Sequence, residues 1–112
     1  MTPEYDYEDL FNQMNSHVGK QIRITESLSR NRQVGHDRHF ATISQFEMTL
    51  EDVRWSFSGA NFYLYGTEGF LYSLSSYNIV QFNTDEKGVF TIIEQFESKT
   101  ERKTTILEKK EN

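Results

Sequence analysis

Apolar positions near the start of the chain recur with a helical period. Tyr7, Leu10, Phe11 and Met14 occupy the i, i+3, i+4 and i+7 places of one helix face. Thr2 offers an N-cap, and Pro3 suits the first helical position, where a missing N–H costs nothing. Glu4, Asp6, Glu8 and Asp9 set negative charge against the positive end of the helix dipole. His17 falls near the end of the pattern, and Gly19 supplies a left-handed stop. The pattern predicts a helix over 3–17.

Beyond Gly19 the period drops to two. Ile22, Ile24 and Leu28 alternate with Arg23, Thr25 and Ser27, while Glu26 interrupts the apolar row. This predicts a half-buried strand over 20–28. The polar stretch 29–39 reads as a loop. Over 40–57 there are two alternating sets, Phe46, Met48, Leu50 and then Val53, Trp55, Phe57, offset by one residue. A bulge or tight turn at Glu51–Asp52 returns both sets to one face. Short strands follow at 62–65, 70–74, 78–82 and 89–96, separated by Gly- and Asn-bearing turns at 58–61, 66–69 and 83–88. Residues 98–112 hold only Ile106 and Leu107 as apolar members. They read as a charged, solvated tail with room for an edge strand over 104–107.

One helix and six or seven short strands predict an α+β, mainly β domain over 1–97, either an antiparallel curled sheet or a small closed barrel. The helix running into Val-Gly-Lys-Gln-Ile-Arg-Ile (18–24) resembles the opening of Sm-like and SH3-like small barrels. The resemblance rests on element order over a little more than half of the chain. The Asp and Asn signature of the Sm RNA pocket is missing.

Composition narrows the function classes. The 112 residues include nine Phe, six Tyr and one Trp, enough to fill a folded core. There is no Cys, which excludes disulfides, thiolate zinc sites and Cys nucleophiles, and fits a reducing compartment. Residues 1–20 carry four carboxylates and no cation before Lys20, unlike a signal peptide. No apolar run approaches the roughly 20 residues of a membrane helix. A soluble cytoplasmic protein is the expectation.

Catalytic signals are missing. There is no Gly-x-Ser-x-Gly elbow, no phosphate loop and no dinucleotide fingerprint. The carboxylate pairs Glu51-Asp52 and Asp85-Glu86 both fall in expected turns, where acidic residues serve solubility and local hydrogen bonding. His36, Asp37 and His39 lie in one loop with Arg38 among them, a poor neighbour for a cation. No enzyme activity, metal or cofactor is expected.

Charge is unevenly spread about a formal net of -5. Between 20 and 39, Lys20, Arg23, Arg30, Arg32 and Arg38 stand against only Glu26 and Asp37, a candidate phosphate contact. Between 40 and 86, Arg54 alone stands against six carboxylates, and most of the aromatics are there. In Phe62-Tyr63-Leu64-Tyr65, core-facing Phe62 and Leu64 turn both tyrosines outward. Tyr63, Tyr65, Tyr72 and Tyr77, with Glu68 and the helix acids Glu4, Glu8 and Asp9, form the candidate protein-contact set, because Tyr buries a large area at low entropy cost. The same tyrosines also serve to fill a barrel.

The favoured function is a non-enzymatic protein-binding module that occludes a basic partner surface. The alternative is an oligomeric small-barrel RNA- or DNA-binding protein using the basic 20–39 region. In type, though not in motif, the chain is similar to accessory proteins of bacteriophages and other mobile elements. Some of those inhibit host nucleic-acid-handling proteins, anti-CRISPR proteins among them.

Overall fold

The computed structural model describes residues 7–30, 41–96 and 100–109. Helix α1 (Tyr7–Asn15) leads into seven strands: β1 (Gln21–Arg30), β2 (Ala41–Trp55), β3 (Asn61–Gly66), β4 (Leu71–Ser75), β5 (Ile79–Thr84), β6 (Phe90–Gln95) and β7 (Thr100–Glu108). The expected cap residues Thr2 and Pro3, with Glu4 and Asp6, lie outside the described residues. The helix stops at Asn15, two residues before the expected end. A turn then reverses the chain through Gly19 at φ +89°.

The strands form one antiparallel sheet in the order β4-β3-β2-β1-β7-β6-β5, not closed into a barrel. The curled form of the expected fold is the one adopted. Strand β2 makes the curl: Ala41–Thr49 pairs with β1, then Leu50–Trp55 pairs with β3, with a register shift between Leu50 and Asp52. The shift falls where the offset apolar sets require it, and Met48, Leu50 and Val53 all reach the core. Trp55 keeps to that face, stacked on Phe62 at the margin of the core, but Phe57 does not follow and runs past it into solvent.

Two expectations about chain ends are corrected. Ser29 and Arg30 belong to β1 rather than to a loop, and residues 100–108 are an interior strand between β1 and β6, not an exposed edge. Hydropathy hid β7 because its inward positions are Arg102, Thr104 and Ile106 instead of three aliphatics. Arg102 is tolerated there because its charge is met.

The core joins Leu10 and Met14 of α1 to Ile22, Ile24, Leu50, Phe62, Leu64, Leu74, Phe90, Ile92 and Ile106. Each such side chain removed from water stabilises by about 1.5–3 kcal/mol. At the β5–β6 hairpin, Asp85 Oδ1 accepts from the N–H groups of Lys87 (2.8 Å) and Val89 (3.0 Å), and Gly88 sits at φ +82°.

Where the curl brings β4 opposite β6 and β7, side chains replace a backbone ladder. Glu94 and Arg102 are cross-strand partners, and Glu94 is fully buried. Arg102 Nε and Nη2 donate to the two Glu94 oxygens at 2.7 and 2.9 Å, and Nη1 donates to Glu26 Oε2 at 3.2 Å. The pair also serves β4: Arg102 Nη2 donates to the Ser73 carbonyl (2.8 Å), and Glu94 Oε2 accepts from the Ser75 N–H (2.7 Å). Burial alone would lower the Arg102 pKa. The Glu94 hydrogen bonds and charge outweigh it and hold the guanidinium ionised. Glu26, which breaks the apolar row of β1, is thus a partner of this pair.

A second tie anchors the helix end. His17 Nδ1 lies 2.6 Å from Glu108 Oε2, and Lys20 Nζ lies 3.3 Å from the same oxygen. Partial burial would raise the Glu108 carboxyl, but the hydrogen bond from His17 and then that from Lys20 bring it below its ordinary value.

Arg102→Met leaves Glu94 buried without its counter-charge and should cost about 3–5 kcal/mol in urea unfolding. The double variant Arg102→Met, Glu94→Leu should recover part of that loss. Glu108 has a depressed folded pKa, so its contribution is present above pH 4.5 and disappears as pH falls through the folded value. Glu108→Gln should remove that contribution and flatten the acid limb of stability against pH, measured by denaturant titration from neutral pH downward.

Candidate functional site

The turn between β2 and β3 is built from Trp55 to Asn61, a stretch without a charged residue. Ser56 N donates to the Asn61 carbonyl (2.8 Å), Gly59 N to the Ser56 carbonyl (2.9 Å), and Asn61 N to Ser56 Oγ (3.1 Å). Gly59 sits at φ +81°, where a side chain would be strained. Two aromatics clamp the turn from outside. Trp55 Nε1 donates to the Gly59 carbonyl (3.0 Å), and the Tyr77 hydroxyl donates to the Ser58 carbonyl (3.0 Å). Trp55 stacks on Phe62, ring centres 5.2 Å apart, and Tyr7 of α1 packs beside it at 5.7 Å.

This clamp leaves large faces in water. Trp55 is 42% exposed, Tyr77 is 68% exposed, and Phe57 at the tip is fully exposed. The polar atoms of Trp55 and Tyr77 are spent on the turn, so what faces solvent is ring surface held in place.

The outer face of β3 continues from this turn. Phe62 and Leu64 are buried, so Tyr63 and Tyr65 turn outward, as expected, and lie 6.3 Å apart, half-buried. Arg54 lies across from Tyr63 on β2, donates to Asp52 Oδ2 (2.8 Å) and sits 5.9 Å from the Tyr65 ring centre. Asp52 is held below its ordinary pKa by the Arg54 hydrogen bond. On β4, Leu71 and Ser73 extend the two rows, Leu71 half-exposed.

The remaining candidate residues divide. Tyr72 is corrected: it faces the core, 6% exposed, its hydroxyl 2.7 Å from Thr104 Oγ1 and its ring 5.3 Å from Arg102. Alternation along β4 places it opposite Leu64 on the inner face, which its neighbours Leu71 and Ser73 conceal. Tyr77 and Glu68 are exposed, and Glu68 holds a left-handed backbone at φ 61°. Glu8 and Asp9 are exposed on α1, with Gln13 Nε2 donating to Asp9 (3.0 Å); Glu4 lies outside the described residues.

The basic set is brought together only in part. Lys20 faces Glu108, and Arg23 is held by Glu47 at 2.7 Å. The side chain of Arg30, together with Arg32, Arg38 and the His36–His39 stretch, lies outside the described residues. Among the described residues no cluster of His, Asp or Glu has the arrangement to hold a metal ion, and no helix is long and apolar enough to cross a membrane.

Trp55 and Phe57 are the functional candidates that sequence reasoning missed. Alternation placed both on the core face, which holds for Trp55 at the margin of the core but not for Phe57. The available signal was the charge-free Ser-Phe-Ser-Gly run, in which a turn must start before Phe57.

No protein-family model matches the chain, and no curated protein matches it. Its fold is similar to the crystal structure of Bacillus subtilis YojF protein, with a TM-score of 0.70 over 98% of this chain and 96% of that one, at 15% identity. At that identity the likeness shows the fold alone.

Burial pushes the Tyr72 phenol up to about 12, against the Thr104 hydrogen bond and the Arg102 charge, with the Glu26 and Glu94 charges adding to the rise. Its neutral form is favoured in the folded state, so its contribution holds below pH 10 and is lost as pH rises toward 12. An ultraviolet phenolate titration should show one tyrosine ionising late, with unfolding, and Tyr72→Phe should remove that late step.

Proposed function

We propose that the chain is a non-enzymatic protein-binding module. Its contact surface is the clamped aromatic turn around Phe57, continued by Tyr63 and Tyr65. The observation that carries this reading is Phe57. A fully exposed aromatic contributes no burial to the fold, yet it is presented on a turn held by two other aromatics. A pre-ordered ring surface loses little entropy on association, the usual property of residues that dominate binding energy.

The expected partner carries a basic surface. The net charge of -5, with Glu68, Glu8 and Asp9 exposed, would steer such a partner, and the aromatics would slow its release. A cytoplasmic nucleic-acid-handling protein has that chemistry. Occlusion of its cationic site, as by an accessory protein of the phage or anti-CRISPR type, is the form of the function we favour. Direct binding of nucleic acid is the less favoured reading, because described cations of the basic region already face carboxylates.

The test is tagged capture of partners from a host lysate, with and without nuclease, by wild type and by Phe57→Ala, Tyr77→Ala. The double variant should keep the wild-type circular dichroism spectrum. It should bind the captured protein at least ~30-fold more weakly, as expected for loss of about 2 kcal/mol at a binding hot spot. Capture that survives the double substitution would overturn the aromatic turn as the contact surface, and capture that vanishes with nuclease in wild type would refute the protein-binding reading.

A further inference from the structure

Strand β2 has two edges of unequal history. Toward β1 it is paired from Ala41 to Thr49; toward β3 it is paired only from Leu50 to Trp55. The edge of Ala41–Thr49 that faces away from β1 therefore carries no strand among the described residues. Its polarity follows from alternation. Leu50 spends its N–H on the Lys20 carbonyl and its carbonyl on the Gly19 N–H, both toward β1. Thr49 points the other way, its N–H 3.4 Å from Thr67 Oγ1. The backbone groups of Glu47 and Gln45 share the Thr49 direction.

That edge opens onto a cavity of about 410 Å³ lined by Gln45, Phe46, Met48, Thr67, Glu68 and Phe70, with Glu47 on the wall. Its apolar wall is the Phe46–Phe70 pair, ring centres 5.0 Å apart. Gly66 keeps this region tight, since a Cβ there would run into Met48. Glu68 stands on the rim, exposed, on a 3-10 turn (Thr67–Gly69) in a left-handed conformation that a non-glycine residue adopts at some cost. Glu47 is already neutralised by Arg23 and Lys109, which leaves Glu68 as the rim carboxylate facing the opening.

We propose that this edge and cavity receive an extended basic segment of a protein partner by strand addition. The backbone of Gln45 and Glu47 would pair with the segment. An aliphatic stem would lie on Phe46 and Phe70, and a lysine or arginine head would meet Glu68. Open edges of this kind are the usual template for an added strand. The proposal rests on the reading of the chain as a protein-binding module, and names what that partner presents.

The probe is the peptide acetyl-Lys-Val-Lys-Val-Lys-amide, titrated into the isotopically labelled full chain and followed by nuclear magnetic resonance and amide exchange. The expected result is shift changes centred on Gln45 to Met48 and Glu68 to Phe70. Exchange at the Gln45 and Glu47 amides should slow about tenfold, with no change at Phe46, which already faces β1. Glu68→Gln should weaken binding roughly tenfold, as for loss of a charge-assisted hydrogen bond. A peptide N-methylated at alternate residues, or one with Glu in place of Lys, should not bind. No saturable shifts at millimolar peptide, shifts spread over the acidic surface, or unchanged binding by Glu68→Gln or by the methylated peptide would overturn the proposal.

The two readings fail separately. Phe57→Ala, Tyr77→Ala should leave peptide binding intact, so partner capture that survives this variant overturns the aromatic turn alone. Peptide binding that fails in wild type overturns the edge alone.

Discussion

The Glu94–Arg102 pair sits where a curled sheet must either close or end. A seven-strand curl leaves β4 with backbone groups aimed at β6 and β7, and no strand among the described residues reaches them. Arg102 donates a hydrogen bond to the Ser73 carbonyl, and Glu94 accepts one from the Ser75 N–H. A cross-strand ion pair thus imitates one step of a ladder. Its two members need each other, because a fully buried carboxylate without a counter-charge would cost several kcal/mol. The arrangement ties β4 to β6 and β7 beside the buried Tyr72.

That constraint explains what could and could not be read from residue order. The helix stripe Tyr7, Leu10, Phe11, Met14 was legible because the helix buries one face of simple period. The shift at Glu51–Asp52 was legible because two apolar sets out of phase can share a core only through an extra residue. Strand β7 was not. Its interior position depends on Arg102 meeting Glu94 on the neighbouring strand and Glu26, which is 76 residues away in sequence. A pattern rule scores Arg102 and Thr104 as solvent-facing when each is read alone. Tyr72 was lost for a different reason: alternation with Leu74 on β4 turns it inward, where Thr104 meets its hydroxyl.

The candidate site shows the complementary failure. Tyr63 and Tyr65 face outward because Phe62 and Leu64 face inward, an inference that needs only local alternation. Phe57 obeys alternation just as well on paper, but by then the sheet has ended. Periodicity reports which residues share a face, not how far the core beneath that face extends. Only the turn, fixed by Trp55 and Tyr77, decides that Phe57 meets water.

The same distinction separates folding from function. Residues that obey the core, such as Phe62 and Leu64, are accounted for by the fold itself. Glu68 and Phe57 are not: one holds a left-handed backbone without glycine, and the other exposes a whole ring. They stand beyond opposite ends of β3, with Tyr63 and Tyr65 between them on its outer face. A strand of six residues spans about 20 Å at roughly 3.3 Å per residue. On the proposed reading, a single partner of ordinary interface size would span both ends, the aromatic turn at one and the acidic notch at the other. On that reading, local departures from what a stable fold prefers, set along one strand, would let a small sheet supply a contact surface without loosening its core.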